Sequence, residues 1–297
     1  MSGELLSKVK VGLRAVERGD LAAARAAFEE AIKANDKDWE AWLGLGRVLL
    51  ATGQDGPARK AYEKVIAIVP NNGEAASQVA LLRARQGDEK AMDDLIALTK
   101  AKDAGFYAYF NLGKVLGARQ DWPGARRAYE RALELEPKSP FPYVELAQIA
   151  VEQKDLPRAV QQLERASELD PLDWQPVYML ARARILQGEV GQASLLLLKA
   201  IRLAPHQEML RADMVKVCLA AQNTKGALVA AEELFGEFPD SLQTFYLYGI
   251  ALMTNGRGED AKSVLEEGLQ KAKKPEEAAP FRALLDELEG ALKKKKS

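Results

Sequence analysis

Alanines recur along this chain at Ala24, Ala58, Ala91, Ala125, Ala159, Ala193, Ala227 and Ala261, every step being 34 residues except one of 33. Prolines keep the interval at Pro137, Pro171, Pro205 and Pro239, with Pro70 lying 67 residues before the first of these. Gly12, Gly46, Gly113 and Gly249 step by 34, 67 and 136. Three residue types reporting one period constrain the fold more than any other feature. A fixed period of this length marks one supersecondary unit stacked on itself, each copy burying its apolar side against the next. The missing residue can be placed: Gly19, Gly53 and Gly87 stay 34 apart, whereas Ala91 arrives one residue early. The loss therefore lies between Gly87 and Ala91, in a turn.

Each unit reads as two helices. Trp42, Leu45, Gly46 and Leu49 recur at spacings of three and four, one face of a helix. Gly53 breaks the chain; Ala58, Tyr62 and Val65 then mark a second helix face, and Pro70 ends the unit. Asp20, Asp88, Asp121 and Asp155 follow the break, where a carboxylate caps the second helix and meets the positive end of its dipole. The small residues have a steric reason, because antiparallel helices approach closely only where side chains are short. Phe28, Tyr62, Tyr129 and leucines in other units fill the space beside them.

The second unit reads Trp42, Leu45, Gly46, Leu49, Ala58, Tyr62, Pro70, and the fourth reads Tyr109, Leu112, Gly113, Leu116, Ala125, Tyr129, Pro137. This pattern resembles the tetratricopeptide repeat family. The resemblance covers residues 5 to 275 and implies an all-α, right-handed α-solenoid of about eight helix–turn–helix units. The expected organisation is a superhelix over 1–275, with units at about 5–38, 39–72, 73–105, 106–139, 140–173, 174–207, 208–241 and 242–275. Residues 276–297 are expected to form a capping helix and a basic tail, Phe281, Leu284, Leu285, Leu288 and Leu292 being spaced for one face and Pro280 suiting a helix start. Lys293 to Lys296 read as a solvated tail. The third unit departs most: Ala80 and Arg83 replace its glycine and tyrosine, its turn is short, and it is the expected site of a hinge.

Chemistry for catalysis is thin. The chain has one histidine, His206, at a unit junction, and one cysteine, Cys218, at the position matching Leu49 and Leu116. These are read as a surface residue and a small core residue, and no zinc site of usual spacing can form from them. Gly-Gln-Asp-Gly at 53–56 lacks the lysine of a phosphate loop and reads as a turn. The expectation is a non-enzyme without cofactor or metal. Hydrophobic residues at 47% and charged residues at 29% describe a globular chain rather than a disordered one. A net charge of −1 gives no global attraction to nucleic acid or to an anionic membrane. Charges near the start interrupt any signal-peptide core, the longest uncharged stretch is too short and polar to span a bilayer, and a single cysteine suits a reducing compartment. The expected location is the cytoplasm, with no membrane insertion and no nucleic acid partner.

In the family that the chain resembles, the first helix of each unit lines a concave groove. One step after the small residue this chain places Leu13, Arg47, Leu81, Lys114, Gln148, Arg182, Lys216 and Ile250, four of them basic and none acidic. Phe110, Tyr178 and Tyr246 lie three steps before the small residue, and Tyr107 and Phe141 precede that row by a turn. Asn111 stands beside Lys114, but Phe110 occupies the place where chaperone-binding members carry a lysine, so their carboxylate clamp is not carried over. The candidate groove is Arg47, Tyr107, Phe110, Asn111, Lys114, Phe141, Tyr178, Arg182, Lys216 and Tyr246, and the expected function is a scaffold or adaptor that binds a protein or peptide segment, acidic/aromatic or apolar. The alternative is a structural subunit of a larger assembly, held through its convex face and ends.

Overall fold

The computed structural model describes residues 2–296, with side chains from Lys8 to Ala291; Leu292 and the Lys293–Lys296 run lie outside the described side chains. Helices account for the regular structure, and no strand occurs among the described residues. They come in pairs: α1 (Ser2–Glu17) with α2 (Leu21–Ala34), α3 (Trp39–Ala51) with α4 (Asp55–Ile68), α5 (Gly73–Arg85) with α6 (Lys90–Lys100), and α7 (Phe106–Ala118) with α8 (Trp122–Leu135). Next come α9 (Phe141–Glu152), α10 (Leu156–Leu169), α11 (Trp174–Leu186) with α12 (Val190–Leu203), α13 (Glu208–Ala220) with α14 (Thr224–Glu237), α15 (Leu242–Thr254) with α16 (Gly258–Lys271), and a final α17 (Pro275–Lys296). This is an all-α helical repeat. Its contacts gather into two compact units, Met1–Ile149 and Ala150–Ser297.

In the first unit the large buried side chains are Phe28, Tyr62, Leu95 and Tyr129, each on a second helix and each facing a small residue of a first helix. A methyl group at Gly113 would lie 2.5 Å from the Tyr129 ring, and one at Gly46 would lie 2.9 Å from the Tyr62 ring. Helix crossing thus depends on the missing side chain at these two positions. The second unit repeats the design with Leu163, Leu197 and Leu265, while α13 and α14 reverse it, Val215 standing at the small-residue position and Ala231 at the large one. At its far end Phe281 and Leu288 of α17 are buried, and α17 packs on Phe245, Leu252 and Leu265. Pro280 does not start α17, as the sequence reading has it; it sits inside the helix. The start is at Pro275 because the Glu277 carboxylate accepts the Lys273 and Lys274 backbone N–H groups at 2.9 and 3.2 Å.

The turn between paired helices has one construction. Two residues past the end of each first helix the backbone turns left-handed, at Gly19, Gly53, Gly87, Gln120, Lys154, Gly188, Gln222 and Gly256. Gln120 illustrates it. Its N–H reaches the Gly117 carbonyl at 2.9 Å, and the next N–H, from Asp121, reaches Leu116 at 3.0 Å, which satisfies two orphan carbonyls of α7. The Asp121 side chain then accepts the Gly124 N–H at 3.0 Å and opens α8. Asp20 and Asp155 cap α2 and α10 in the same way.

Asp88 does not. Each of the other second helices has 14 residues, starting three before its alanine, whereas α6 has 11 and starts one before Ala91. The deleted residue has removed its first turn. Asp88 accepts the Lys90 N–H at 3.0 Å and pairs with Arg83, which also reaches Asp94 at 2.6 Å. The Arg83–Asp94 ion pair ties the shortened helix to α5, and the Arg83–Asp88 pair ties down the turn before it.

Candidate partner-binding face

Arg47 on α3 is the first of the four cations one step past the small residue. Its guanidinium grips the Glu74 carboxylate of α5 with two hydrogen bonds, 2.7 and 2.6 Å long. This bidentate pair holds the Arg47 pKa above its ordinary value. Tyr107, at the start of α7, lies beside it, and burial together with Glu74 raises its hydroxyl pKa. Beneath them the Tyr62 hydroxyl is buried without a hydrogen-bond partner, and its pKa is raised in turn by burial. Arg47 is therefore neutralised from within the fold.

An aromatic cluster follows on α7 and α9. Phe110 stacks on Phe106 with centroids 5.4 Å apart, lies 5.7 Å from Tyr129, and meets Phe141 at 6.3 Å. Phe141 is 58% exposed, so the cluster opens to solvent there. Lys114 sits over the Phe110 ring at 5.5 Å, with its Nζ 3.7 Å from Glu145. Glu145 also accepts the Tyr129 hydroxyl at 3.4 Å, and burial, then this carboxylate, pushes the Tyr129 pKa up. Asn111 is not part of the face. It is 1% exposed and its amide donates to the Ser77 hydroxyl of α5 at 3.3 Å. Two positions before Gly113, it points into the α5–α7 packing, where a buried amide must be paired.

In the second unit Tyr178 on α11 is 7% exposed, so only its polar end reaches the surface. That hydroxyl donates to Asp213 Oδ2 of α13 at 2.8 Å, while Lys216 Nζ donates to Oδ1 at 2.9 Å. Burial first, and then Asp213, raises the Tyr178 pKa to about 12. Arg182 lies over the Tyr178 ring at 5.8 Å and has no carboxylate within ion-pair distance among the described residues. A cavity of about 330 Å³ opens here, lined by Arg182, Ile185, Leu186, Asp213, Lys216 and Val217. Tyr246 is turned elsewhere: it is half-buried between α15 and α17, edge-on to Phe281 at 6.0 Å.

The row three steps before the small residue is thus mostly interior, Val9, Ser77, Tyr178 and Ala212 all being buried. The acids Glu145 and Asp213, which the sequence sets among the basic row, offset its charge. Arg47, Lys114 and Lys216 each pair with an acid of the same face, from Glu74, Glu145 and Asp213. Glu145 and Asp213 share one place in the repeat, two before the small residue, so that part of the compensation is periodic in the sequence. Leu186, 61% exposed at the end of α11, escaped the sequence reading altogether.

His206 is largely exposed, 3.8 Å from Glu237. Cys218 is half-buried and free, and burial raises its thiol pKa, away from the reactive thiolate. No group of His, Cys, Asp and Glu side chains fit to hold a metal ion occurs among the described residues. No helix among them is long and apolar enough to cross a membrane.

Two models described as tetratricopeptide repeat match the chain, one over residues 11–73 and the other over 118–180 and 219–285. The chain is 29% identical over 115 residues to anaphase-promoting complex subunit 3 of Schizosaccharomyces pombe, a match covering 38% of this chain and 17% of that protein. The chain therefore spans under a fifth of that relative's length. Among solved structures, the anaphase-promoting complex hetero-tetramer Cut9-Hcn1 matches with a TM-score of 0.59 at 17% identity, over 78% of this chain and 48% of the other. The human IFIT1 dimer with m7Gppp-AAAA matches with a TM-score of 0.62 at 15% identity, over 86% and 69%. At these identities the two structures speak for the fold alone.

Proposed function

The chain belongs to the tetratricopeptide repeat family, and from that premise we propose that it is a non-catalytic scaffold whose first-helix face binds a segment of a protein partner. The observation that carries this reading is the open aromatic cluster. Phe141 is 58% exposed beside Phe110, with Lys114 spread over the Phe110 ring. Nothing inside the fold needs a phenylalanine in water. A bulky apolar contact rimmed by a cation is what a partner's anchor residue requires, the apolar part supplying affinity and the charge setting register and on-rate. The face is charge-compensated rather than basic, which favours a mixed apolar and acidic segment over a nucleic acid backbone. The single free cysteine and the balanced charge fit the cytoplasm.

Affinity capture from the native host, with wild type and a Lys114→Glu/Arg182→Glu double variant, tests the proposal. Both side chains lie outside the repeat core, so the variant is expected to fold normally. Capture by wild type that the variant loses at low salt supports the first-helix face. Equal capture by a folded variant overturns it in favour of a structural subunit held through its other surfaces. A partner released as salt rises fits a segment in the groove, whereas one that resists salt fits a large apolar interface.

A further inference from the structure

Arg182 breaks a rule that the other three cations obey. Arg47, Lys114 and Lys216 each have a carboxylate of their own face. The acid that lines the same cavity as Arg182 is Asp213, and both of its oxygens are already engaged, one by the Tyr178 hydroxyl and one by Lys216. Tyr178 also fixes the guanidinium from below, through its ring face at 5.8 Å. The result is a planar cation, held against Tyr178 and without a carboxylate of its own among the described residues, in the lining of the cavity between α11 and α13. The apolar wall of that cavity is equally particular. Five positions past the small residue the eight units carry Glu17, Ala51, Arg85, Ala118, Glu152, Leu186, Ala220 and Thr254. Only the sixth unit has a large apolar side chain there, and Leu186 is 61% exposed.

We propose that this cavity is a two-point recognition site for a partner segment that offers an aspartate or glutamate to Arg182 and a large aliphatic or aromatic side chain to Ile185, Leu186 and Val217. The inference rests on the first-helix face being the one that binds the partner. The chemistry selects the occupant. A guanidinium fork accepts a carboxylate bidentately, and burial of one anchor side chain in a cavity of about 330 Å³ supplies the affinity that an exposed ion pair lacks. Lys216 and Asp213 cancel, so the site carries one net positive charge and takes one acidic residue. An adjacent run of acids would meet Asp213 and be repelled.

The test is a selection of displayed random peptides against the full chain, followed by polarisation titrations of the recovered peptides made synthetically with fluorescein. Wild type is compared with Arg182→Glu, Leu186→Asn and Phe141→Ser, all at exposed positions, each checked for an unchanged melt. The expected peptides pair one Asp or Glu with a nearby Leu, Ile, Met or Phe. They bind Arg182→Glu about tenfold or more weakly than wild type, bind Leu186→Asn more weakly as well, and are indifferent to Phe141→Ser. Peptides without an acidic residue, or peptides that bind Arg182→Glu as tightly as wild type, overturn the site. If those same peptides are lost on Phe141→Ser, the face still binds partners and only this site is wrong. Peptides indifferent to all three variants, or a selection that yields no binder, overturn the site and the face together.

Discussion

At Gln120, Lys154 and Gln222 the backbone holds φ at 62, 60 and 56°, a region that costs an L-residue about 1 kcal/mol and glycine almost nothing. Five other units spend a glycine at this turn. Lys154→Gly and Gln222→Gly are therefore expected to raise stability, each by up to about 1 kcal/mol in urea melts, with the gain trimmed by glycine's extra freedom in the unfolded chain. Gly113 works in the opposite sense. A methyl group there would stand 2.5 Å from the Tyr129 ring. Gly113→Ala is expected to destabilise by about 1–3 kcal/mol, read in the same melts, since Tyr129 is buried and cannot retreat. Periodic glycine and alanine thus made the helix crossings legible in the sequence. The left-handed residue of the turn is legible only where glycine occupies it. Gln120, Lys154 and Gln222 adopt the same backbone, held by the hydrogen bonds of the helix end, and their residue types carry no sign of it.

The element that departs from its siblings is α6, 11 residues long where the other second helices have 14. The spacing of Gly87 and Ala91 located the lost residue, but not what replaced it. Arg83 stands where α3 and α7 carry the buried Leu49 and Leu116, and it holds Asp88 and Asp94; exposed ion pairs stabilise less than a buried leucine. Hydrogen exchange over residues 73–105 is expected to be faster than over the fourth unit; equal rates would mean that the turn absorbs the deletion without loosening the pair. The same contact has a pH signature. Arg83 holds the Asp88 carboxyl below its ordinary value of 3.8. Its folded pKa is depressed, so the stabilisation is full above that ordinary value and is lost as pH falls through the lower, folded one. The stability lost on Arg83→Met should accordingly be larger at neutral pH than at pH of about 3. At the other end, α17 covers Phe245, Leu252 and Leu265 with Phe281 and Leu288. Replacing Leu284, Leu285 and Leu288 by serine is expected to uncover that apolar surface and to lower the melting temperature or cause aggregation, followed by light scattering.

Across the whole molecule, the period that defines the fold also hides the proposed binding face. Core positions repeat because every unit solves the same packing problem, and so they stand out in the sequence. The residues we propose for partner binding are marked instead by what they lack, an internal carboxylate at Arg182 and a covering neighbour at Phe141, and an absence of contact is visible only in three dimensions. Asn111 shows the converse, since a polar residue next to Lys114 looked available and is buried against Ser77. A partner seated on the first helices would shield their lysines, which amine acetylation of the chain with and without the captured partner reads site by site by mass spectrometry. Lys114 and Lys216 belong to first helices, whereas Lys60 and Lys199 are exposed on second helices. The partner is expected to protect Lys114 and Lys216 and to leave Lys60 and Lys199 as reactive as before. Protection of Lys60 or Lys199, with Lys114 and Lys216 unchanged, would contradict a partner on the first helices.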